Sequence, residues 1–330
     1  MSIERTYRIA WCKDCDHLLG DIMSVDLSPI DKDLLENIAG IHGLPKGAFN
    51  VRKNGELVER HSSANVEIET NDKGGLEVKI ADKAPRETIF VPVILTKVGM
   101  KDTVYNNFHV GKGASVEIIA GCGIHNDEHK TTQHDGIHSF YCGEGSYTKY
   151  VEKHYGNGKA DGSRVLNPQT KVVLEKNAVC EMEMSQIGGV TSTIRNSDIT
   201  IKEGAKLIIT EKLMTEGNQT AESNMKIELI GDGSNVQVIS RSVAKDNSKQ
   251  VFNPLVIGKC KCHGHVQCDA IIMGKASVKS VPAIEAASED AQLVHEAAIG
   301  KIAGDQLTKL MTLGLSESEA EEQILNDFLN

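Results

Sequence analysis

Gly204-Ala-Lys-Leu-Ile-Ile209 and Gly233-Ser-Asn-Val-Gln-Val238 are copies of a short pattern in which a turn residue precedes a strand-like segment. The pattern recurs along the chain, mostly at steps of 27 to 32 residues, in Gly113-Ala-Ser-Val-Glu-Ile118, Gly145-Ser-Tyr-Thr-Lys-Tyr150, Asn177-Ala-Val-Cys-Glu-Met182 and Lys275-Ala-Ser-Val-Lys279. A unit this short cannot bury its own apolar face, so such a repeat is typical of the stacked coils of a β-solenoid. An ordinary β-sandwich is the alternative.

The sequence on both sides of these repeats also has strand-like patterns. Apolar and polar residues alternate in Leu76-Glu-Val78-Lys-Ile80 and Ile227-Glu-Leu229, which indicates strands with one buried face. Long helical patterns are absent between residues 56 and 285. Aromatic residues make up only 4% of the chain, which suits narrow coils filled by small aliphatic side chains. The predicted fold class is therefore mainly β.

Helical patterns flank this region. Pro29 and Gly40 are suited to the start and end of a short helix near the N-terminus. Near the C-terminus, Gly314 is a helix stop, and Ser316 with Glu319 is a capping box for a last helix. The sequence thus predicts an N-terminal helical and turn segment over 1–50, a β-helix core over 51–285 and a C-terminal helical domain over 286–330.

Composition excludes several classes of protein. The 330 residues include 36 Lys and Arg against 46 Asp and Glu, a net charge of −10, which argues against nucleic-acid binding. The longest apolar run, residues 89–95, is too short to span a membrane, and no signal peptide is apparent. We therefore expect a cytoplasmic protein whose eight cysteines stay reduced. No P-loop motif is present, so ATP hydrolysis by this chain is not expected.

The densest group of potential ligands lies in Gly258-Lys-Cys260-Lys-Cys262-His263-Gly-His265-Val-Gln-Cys268-Asp269. Thiolates and imidazoles are ligands for zinc, iron and iron–sulfur clusters, but the spacing does not fit a zinc finger. Cys260, Cys262 and Cys268 have the same parity and would share one face of a strand. His295 and Glu296 follow Cys268 by nearly one coil, which predicts that thiolate, imidazole and carboxylate are neighbours.

A second group contains five histidines within about thirty residues. It comprises Cys122 together with His125, His129, His134, His138 and His154. This group could bind a metal, as in a cupin-like or β-solenoid enzyme, or it could be a polar ladder on adjacent coils. Cys12 and Cys15 form a single C-x-x-C, which is half a metal site at most.

At these residues the sequence resembles the SufB/SufD family of iron–sulfur cluster assembly scaffolds, and particularly its short archaeal and anaerobe SmsB-like members. The resemblance runs from about residue 47 to the C-terminus. It is carried by Tyr105-Asn-Asn-Phe-His109, Ala120-Gly-Cys-Gly-Ile-His125, His134-Asp-Gly-Ile-His138, Glu152-Lys-His-Tyr-Gly156, His265-Val-Gln-Cys-Asp269 and His295-Glu-Ala-Ala-Ile-Gly-Lys-Ile302.

The resemblance implies a right-handed parallel β-helix core with a C-terminal helical domain that binds an ABC-type ATPase, SufC or SmsC. It also implies pairing of two chains through their β-helices, and delivery of clusters to recipient apo-proteins. Cys268, His295 and Glu296 match the residues implicated in cluster assembly in SufB, and Cys262 fits the pattern of the short subgroup. The implied cargo is an iron–sulfur cluster, with [4Fe-4S] as the candidate type.

Because Cys268, His295 and Glu296 occur in one polypeptide, a homodimer could supply every part of the implied site. The leading interpretation is therefore a scaffold that is not itself an enzyme. The alternatives are a β-solenoid or cupin-like metalloenzyme that uses the histidines between His125 and His138, and a purely structural oligomerisation module.

Overall fold

The computed structural model describes residues 27–159, 162–302 and 304–329, and it is a solenoid of stacked parallel coils followed by a helical segment. In the described residues, three helices lie outside the coils, namely α1 (Pro29–Ala39), α2 (Gly304–Thr312) and α3 (Glu317–Leu329). The first half of the chain contributes β1 (Ala48–Lys53), β2 (Glu56–His61), β3 (Val66–Thr70), β4 (Leu76–Ile80), β5 (Glu87–Leu95), β6 (Lys101–Val110), β7 (Ser115–His125), β8 (Thr131–Cys142), β9 (Tyr147–Asn157), β10 (Ser163–Leu166) and β11 (Gln169–Leu174). The second half contributes β12 (Val179–Ile187), β13 (Ser192–Ile201), β14 (Lys206–Thr215), β15 (Thr220–Leu229), β16 (Asn235–Ala244), β17 (Lys249–Gly258), β18 (His263–Ile272), β19 (Ser277–Ser280), β20 (Ala283–Ala286) and β21 (Gln292–Gly300).

The strands form two sheets that face each other across the coil interior. Sheet 1 has the order β2-β1-β5-β7-β9-β12-β14-β16-β18-β21. Sheet 2 has the order β19-β17-β15-β13-β10-β8-β6-β4-β3, with β11 between β8 and β13 and β20 beside β17. Pairing is parallel throughout except for the hairpins β1–β2 and β3–β4. The solenoid prediction is confirmed, and the sandwich alternative is wrong.

The coil length follows the sequence repeat. Ser115 pairs with Tyr147, 32 residues further on, whereas Val179 pairs with Lys206, 27 residues further on. The turn residue has a positive φ in the repeats that begin at Gly113, Gly145, Asn177, Gly204 and Gly233, from 58° at Asn177 to 74° at Gly233, and glycine adopts this conformation without steric cost. The turns also stack, because the amide of Gly204 donates to the carbonyl of Asp232 in the next coil.

The caps predicted at Gly40 and at Ser316 are confirmed. Gly40 ends α1 in the left-handed conformation, and Ser28 and Asp31 form a reciprocal capping box at its start, which was not predicted. Ser316 and Glu319 make the same reciprocal bonds at the start of α3. No helix in the described part of the chain is long and apolar enough to cross a membrane.

One predicted boundary needs correction. Residues 286–300 fall in the range assigned to the C-terminal helical domain, but Gln292–Gly300 is strand β21, and the first C-terminal helix begins at Gly304. β21 pairs in parallel with β18 over nine residues, so this segment is the last coil of the solenoid. Ladder hydrogen bonds to β18 outweigh the moderate helix propensity of its Glu, Ala and Leu residues.

Candidate functional site

A row of polar side chains runs through the otherwise apolar interior of the coils. Glu152, Met184, Glu211, Ser240 and Cys268 occupy matching positions on successive strands of sheet 1, and each faces inward. We call these five residues the interior row. Because strands in a sheet lie about 4.8 Å apart, the row extends about 20 Å along the solenoid axis. It ends at Cys268, in the coil before the last.

Arg195, on sheet 2, supplies the positive charge for the interior row. Its guanidinium is buried, donates to the Glu152 carboxylate, and lies 3.7 Å from Oε1 of Glu211. The hydroxyls of Ser223 and Ser240 donate to Glu211 at 2.8 and 3.1 Å. Burial alone would raise the pKa of Glu152, but the charge of Arg195 and the neighbouring histidines hold it well below its usual range. Two buried carboxylates are thus compensated by one arginine and by hydroxyl donors.

Cys122 and His134 form a second buried group, beyond the Glu152 end of the row. Nδ1 of His134 lies 2.9 Å from the Asp102 carboxylate, and its ring also contacts the Cys122 thiol. Burial opposes ionisation of both groups, but His134 and His154 lower the pKa of Cys122 to about 7. Cys122 and Asp102 in turn raise the pKa of His134 to about 10. This arrangement favours a thiolate–imidazolium pair in which Asp102 orients the imidazole.

The five predicted histidines do not form one site. His134, His138 and His154 are buried and turn inward, whereas His125 hydrogen-bonds Asn157 and Asp127 at the end of its strand. Burial lowers the pKa of His138 to about 4, so this imidazole is neutral. Among the described residues, no three His, Cys, Asp or Glu side chains are arranged to hold a metal ion. The metalloenzyme alternative therefore gains no support here.

Cys268 and His295 share the inward face of the last two coils of sheet 1. Cys268 pairs with Ala297 and Val266 pairs with His295, so the two are diagonal neighbours, about 8 Å apart between Cα atoms at the usual strand spacing. Burial raises the pKa of the Cys268 thiol, and burial lowers the pKa of His295. Nε2 of His295 is buried without a hydrogen-bond partner. A neutral imidazole with a free ring nitrogen is ready to bind a metal.

Glu296 points away from this pair. Its neighbour along the strand faces inward, so its own side chain faces outward, where Oε1 lies 2.7 Å from Nε2 of His265. The structure thus brings Cys268 and His295 together. Glu296 lies on the opposite face of β21 from His295, where it contacts His265 at the surface.

Cys262 lies directly before β18, whereas Cys268 lies in the middle of this strand. Six residues of extended chain separate the two, which corresponds to about 20 Å. Cys262 is buried at the coil corner, and its thiol contacts that of Cys260. Of the other cysteines, Cys142 and Cys180 are packed in the hydrophobic core. Cys12 and Cys15 lie outside the described residues.

Several residues of this interior were missed from the sequence, among them Asp102, Arg195 and Glu211. A signal for Glu211 was present, because Leu207, Ile209 and Glu211 have the same parity in a strand whose other inward side chains are apolar. A charged residue at an inward position needs a buried partner. No comparable signal identifies the partner Arg195, which lies on the opposite sheet.

Comparisons with known proteins show what this chain is similar to. A family model described as "SUF system FeS cluster assembly, SufBD core domain" matches residues 99–328. An iron–sulfur cluster assembly SufBD family protein of Pyrococcus horikoshii is 27% identical over 296 residues, which cover 89% of this chain and 84% of the relative. A protein of the same description from Methanocaldococcus jannaschii is 24% identical, over 88% of this chain and 92% of the relative. The iron–sulfur cluster assembly protein SufB of Bacillus subtilis is 26% identical, over 66% of this chain and 47% of the relative.

Proposed function

The chain belongs to the SufBD family of iron–sulfur cluster assembly proteins, and from this premise we propose that it is a scaffold on which a cluster is built and then passed to apo-proteins. The observation that carries the proposal is that Cys268 and His295 are diagonal neighbours on the inward face at the end of the solenoid. One residue offers a thiol sulfur and the other an unpaired imidazole nitrogen, and both suit iron. The cluster is the cargo of this protein, and the chemistry of the chain is to hold it and release it.

We propose that two chains complete the site as a homodimer. β21 ends sheet 1, while β19 and β20 end sheet 2, so the last coil presents strand edges that pair with no other strand among the described residues. Exposed apolar side chains surround these edges, including Val281, Ile284 and Val294. Open edges with apolar side chains favour pairing with another chain. A dimer joined at this end would bring Cys268 and His295 of both chains close to one another.

In this proposal Cys268 and His295 bind the cluster, and Glu296 joins after leaving His265. Ligation by thiolate, imidazole and carboxylate is weaker than ligation by four thiolates, so the cluster can be transferred. Cys262 is too far along β18 to join Cys268 of the same chain, and we propose a separate role for it below. Binding and release of the cluster require no catalysis by this chain, and ATP hydrolysis is assigned to a partner.

We propose that α2 docks an ABC-type ATPase of the SufC or SmsC kind. α3 is anchored, because Leu325 and Leu329 pack against apolar residues on the outside of sheet 1. α2 has no buried residue, and just beyond it Leu313 is 76% exposed. An anchored helix that carries a second, uncovered amphipathic helix is suited to binding a groove on another protein. ATP-driven movement of two such partners would change the distance between the two chains.

Anaerobic reconstitution tests the scaffold. With ferrous iron and inorganic sulfide, the wild-type chain should acquire the visible absorption of an iron–sulfur cluster, and Cys268→Ala should abolish it because the principal thiolate is removed. His295→Ala should retain less iron and sulfide per chain. Cys180→Ala, which removes a buried thiol from another coil, is the matched control. A full cluster on Cys268→Ala, with unchanged thermal unfolding, would falsify the site assignment.

Capture experiments test the docking of the ATPase. Replacing Leu313 and Met311 with aspartate should weaken binding of the ATPase by about 30-fold or more, since the loss of a central apolar contact costs about 2 kcal/mol. Ile30→Asp, which places the same charge on the exposed face of α1, is the control. Unchanged capture of the ATPase by the Leu313 and Met311 variant would count against this surface.

A further inference from the structure

The corner before six strands of sheet 1 has a regular composition. The residue directly before the strand is small and buried or partly buried, as Ala114, Ser146, Ala178, Ala205, Ser234 and Ala291 show. The residue two positions earlier is charged in the same six coils, as Lys112, Glu144, Lys176, Glu203, Asp232 and Glu289 show. The small residue fills the corner, and the charged residue lies in the turn. These two positions define what the architecture requires of a coil corner.

One coil departs from this rule at both positions. Before β18, Cys262 occupies the small position and Cys260 occupies the charged position. Lys261, between them, stands where Gly233 of the preceding coil has a φ of 74°, but it does not adopt a positive φ. Neither cysteine is needed to form the corner, since six other coils form it without one. A departure from a structural repeat at two adjacent sites indicates a function at this point.

The two thiols contact each other but differ in their exposure. Cys262 is buried against the core, whereas Cys260 is partly exposed. Sγ of Cys260 lies 3.4 Å from the carbonyl oxygen of Leu229 and 3.7 Å from the hydroxyl of Ser234. Gly258 makes room for this pair, because a Cβ there would lie 2.8 Å from Sγ of Cys262. The corner therefore presents one accessible thiol backed by one sheltered thiol.

We propose that Cys260 and Cys262 are a dithiol that reduces the sulfane sulfur of a persulfide to sulfide. This inference rests on the proposed function, since cluster assembly consumes sulfide. Thiol–disulfide exchange requires an accessible thiol that attacks the substrate and a second thiol that resolves the mixed disulfide. Cys260 and Cys262 are arranged for these two steps. The substrate class is a persulfide, R–S–SH, on a small molecule or on a partner protein.

The chemistry balances as a two-electron reduction. The Cys260 thiolate attacks the inner sulfur of R–S–SH, the S–S bond breaks, and HS⁻ leaves. Cys262 loses its proton and attacks the Cys260 sulfur of the resulting mixed disulfide, which releases RSH and forms a Cys260–Cys262 disulfide. The dithiol is oxidised and the sulfane sulfur is reduced. A thiol reductant returns the disulfide to the dithiol for another turnover.

The state of Cys262 suits the resolving thiol of a dithiol. Burial first, and then the nearby Cys260 thiol, raise the pKa of Cys262 to about 11. It is therefore a protonated thiol at neutral pH until the mixed disulfide has formed on Cys260. Once Cys260 is in a mixed disulfide it carries no charge, so this contribution to the raised pKa of Cys262 disappears. The buried thiol then becomes easier to ionise at the step in which it must attack.

Sulfide release tests the dithiol directly. The full chain carrying Cys12→Ser and Cys15→Ser, so that the N-terminal pair cannot contribute, is reduced, desalted without oxygen and mixed with excess glutathione persulfide. We expect up to one equivalent of sulfide per chain above the background, together with a Cys260–Cys262 disulfide in the peptide mass spectrum. Cys260→Asp and Cys262→Ser copy Asp232 and Ser234 of the preceding coil, so both should fold. Cys260→Asp should lower sulfide release to the background, whereas Cys262→Ser should still release sulfide but stop at a mixed disulfide between Cys260 and glutathione.

A matched control separates the pair from the mere number of thiols. Adding Ser146→Cys to the Cys262→Ser variant restores a buried thiol at the same corner position of another coil, without a second cysteine in that turn. The added thiol should not resolve the mixed disulfide between Cys260 and glutathione, which should persist in the peptide mass spectrum. Release that persists in Cys260→Asp, or a wild-type chain without the disulfide, would overturn the proposal. The assay contains no iron, so its failure is independent of the cluster reconstitution that tests the scaffold.

Discussion

Replacing Arg195 with methionine should lower the free energy of unfolding by about 3–5 kcal/mol, because removing one partner leaves buried charges uncompensated. The guanidinium is buried between Glu152 and Glu211, and both carboxylates are buried as well. Methionine preserves much of the side-chain volume and removes the charge. Urea-induced unfolding followed by circular dichroism measures the loss.

Two further variants distinguish lost charge from lost packing. Arg195→Lys keeps one positive charge, but its ammonium group cannot reach both carboxylates as the planar guanidinium does. Its free energy of unfolding should therefore lie between those of the wild type and Arg195→Met. Adding Glu152→Gln to Arg195→Met should recover part of the stability, since one of the two unpaired carboxylates becomes neutral. A loss below about 1 kcal/mol in Arg195→Met would show that the interior row is solvated rather than dry.

The fold was predictable because local signals repeat in most coils. A left-handed turn residue is followed there by a small residue and then by alternating apolar residues, and Gly145 and Gly204 show the expected positive φ. Each coil packs on the next, so one consistent local pattern determines the whole stack. The last coil was missed because Gln292–Gly300 lacks the glycine turn, and its Ala, Glu and Leu residues are as compatible with a helix.

The site was predictable only in part. Resemblance and coil length together point to Cys268 and His295, and the register places them as diagonal neighbours rather than directly opposite. Adjacent residues of a strand must point to opposite faces, so His295 and Glu296 could not both face Cys268. The interior row could not be predicted from the sequence, because Arg195 contacts Glu152 across the solenoid and the two are 43 residues apart in the chain.

Charging the end of the last coil should convert the proposed homodimer into monomers. Ile284→Lys and Val294→Lys each place a charge among the exposed apolar residues of the open strand edges, where a dimer would bury it. In a two-fold symmetric interface every substitution occurs twice, so like charges also oppose each other across the axis. We expect either variant to weaken dimerisation by about 30-fold or more. Sedimentation velocity should show mostly the 35.8 kDa chain, where the wild type has twice this mass.

The opposite end of the solenoid provides the matched control for this experiment. Leu57 lies on β2, the first strand of sheet 1, and is as exposed as Ile284, at 49% against 48%. Leu57→Lys adds the same charge to an equally exposed apolar residue and should leave the dimer intact. If two chains complete the cluster site, the monomeric variants should also lose cluster after reconstitution, although Cys268 and His295 are unchanged. A wild-type monomer that binds a full cluster would contradict the shared site, since one chain would then hold the cargo without the other.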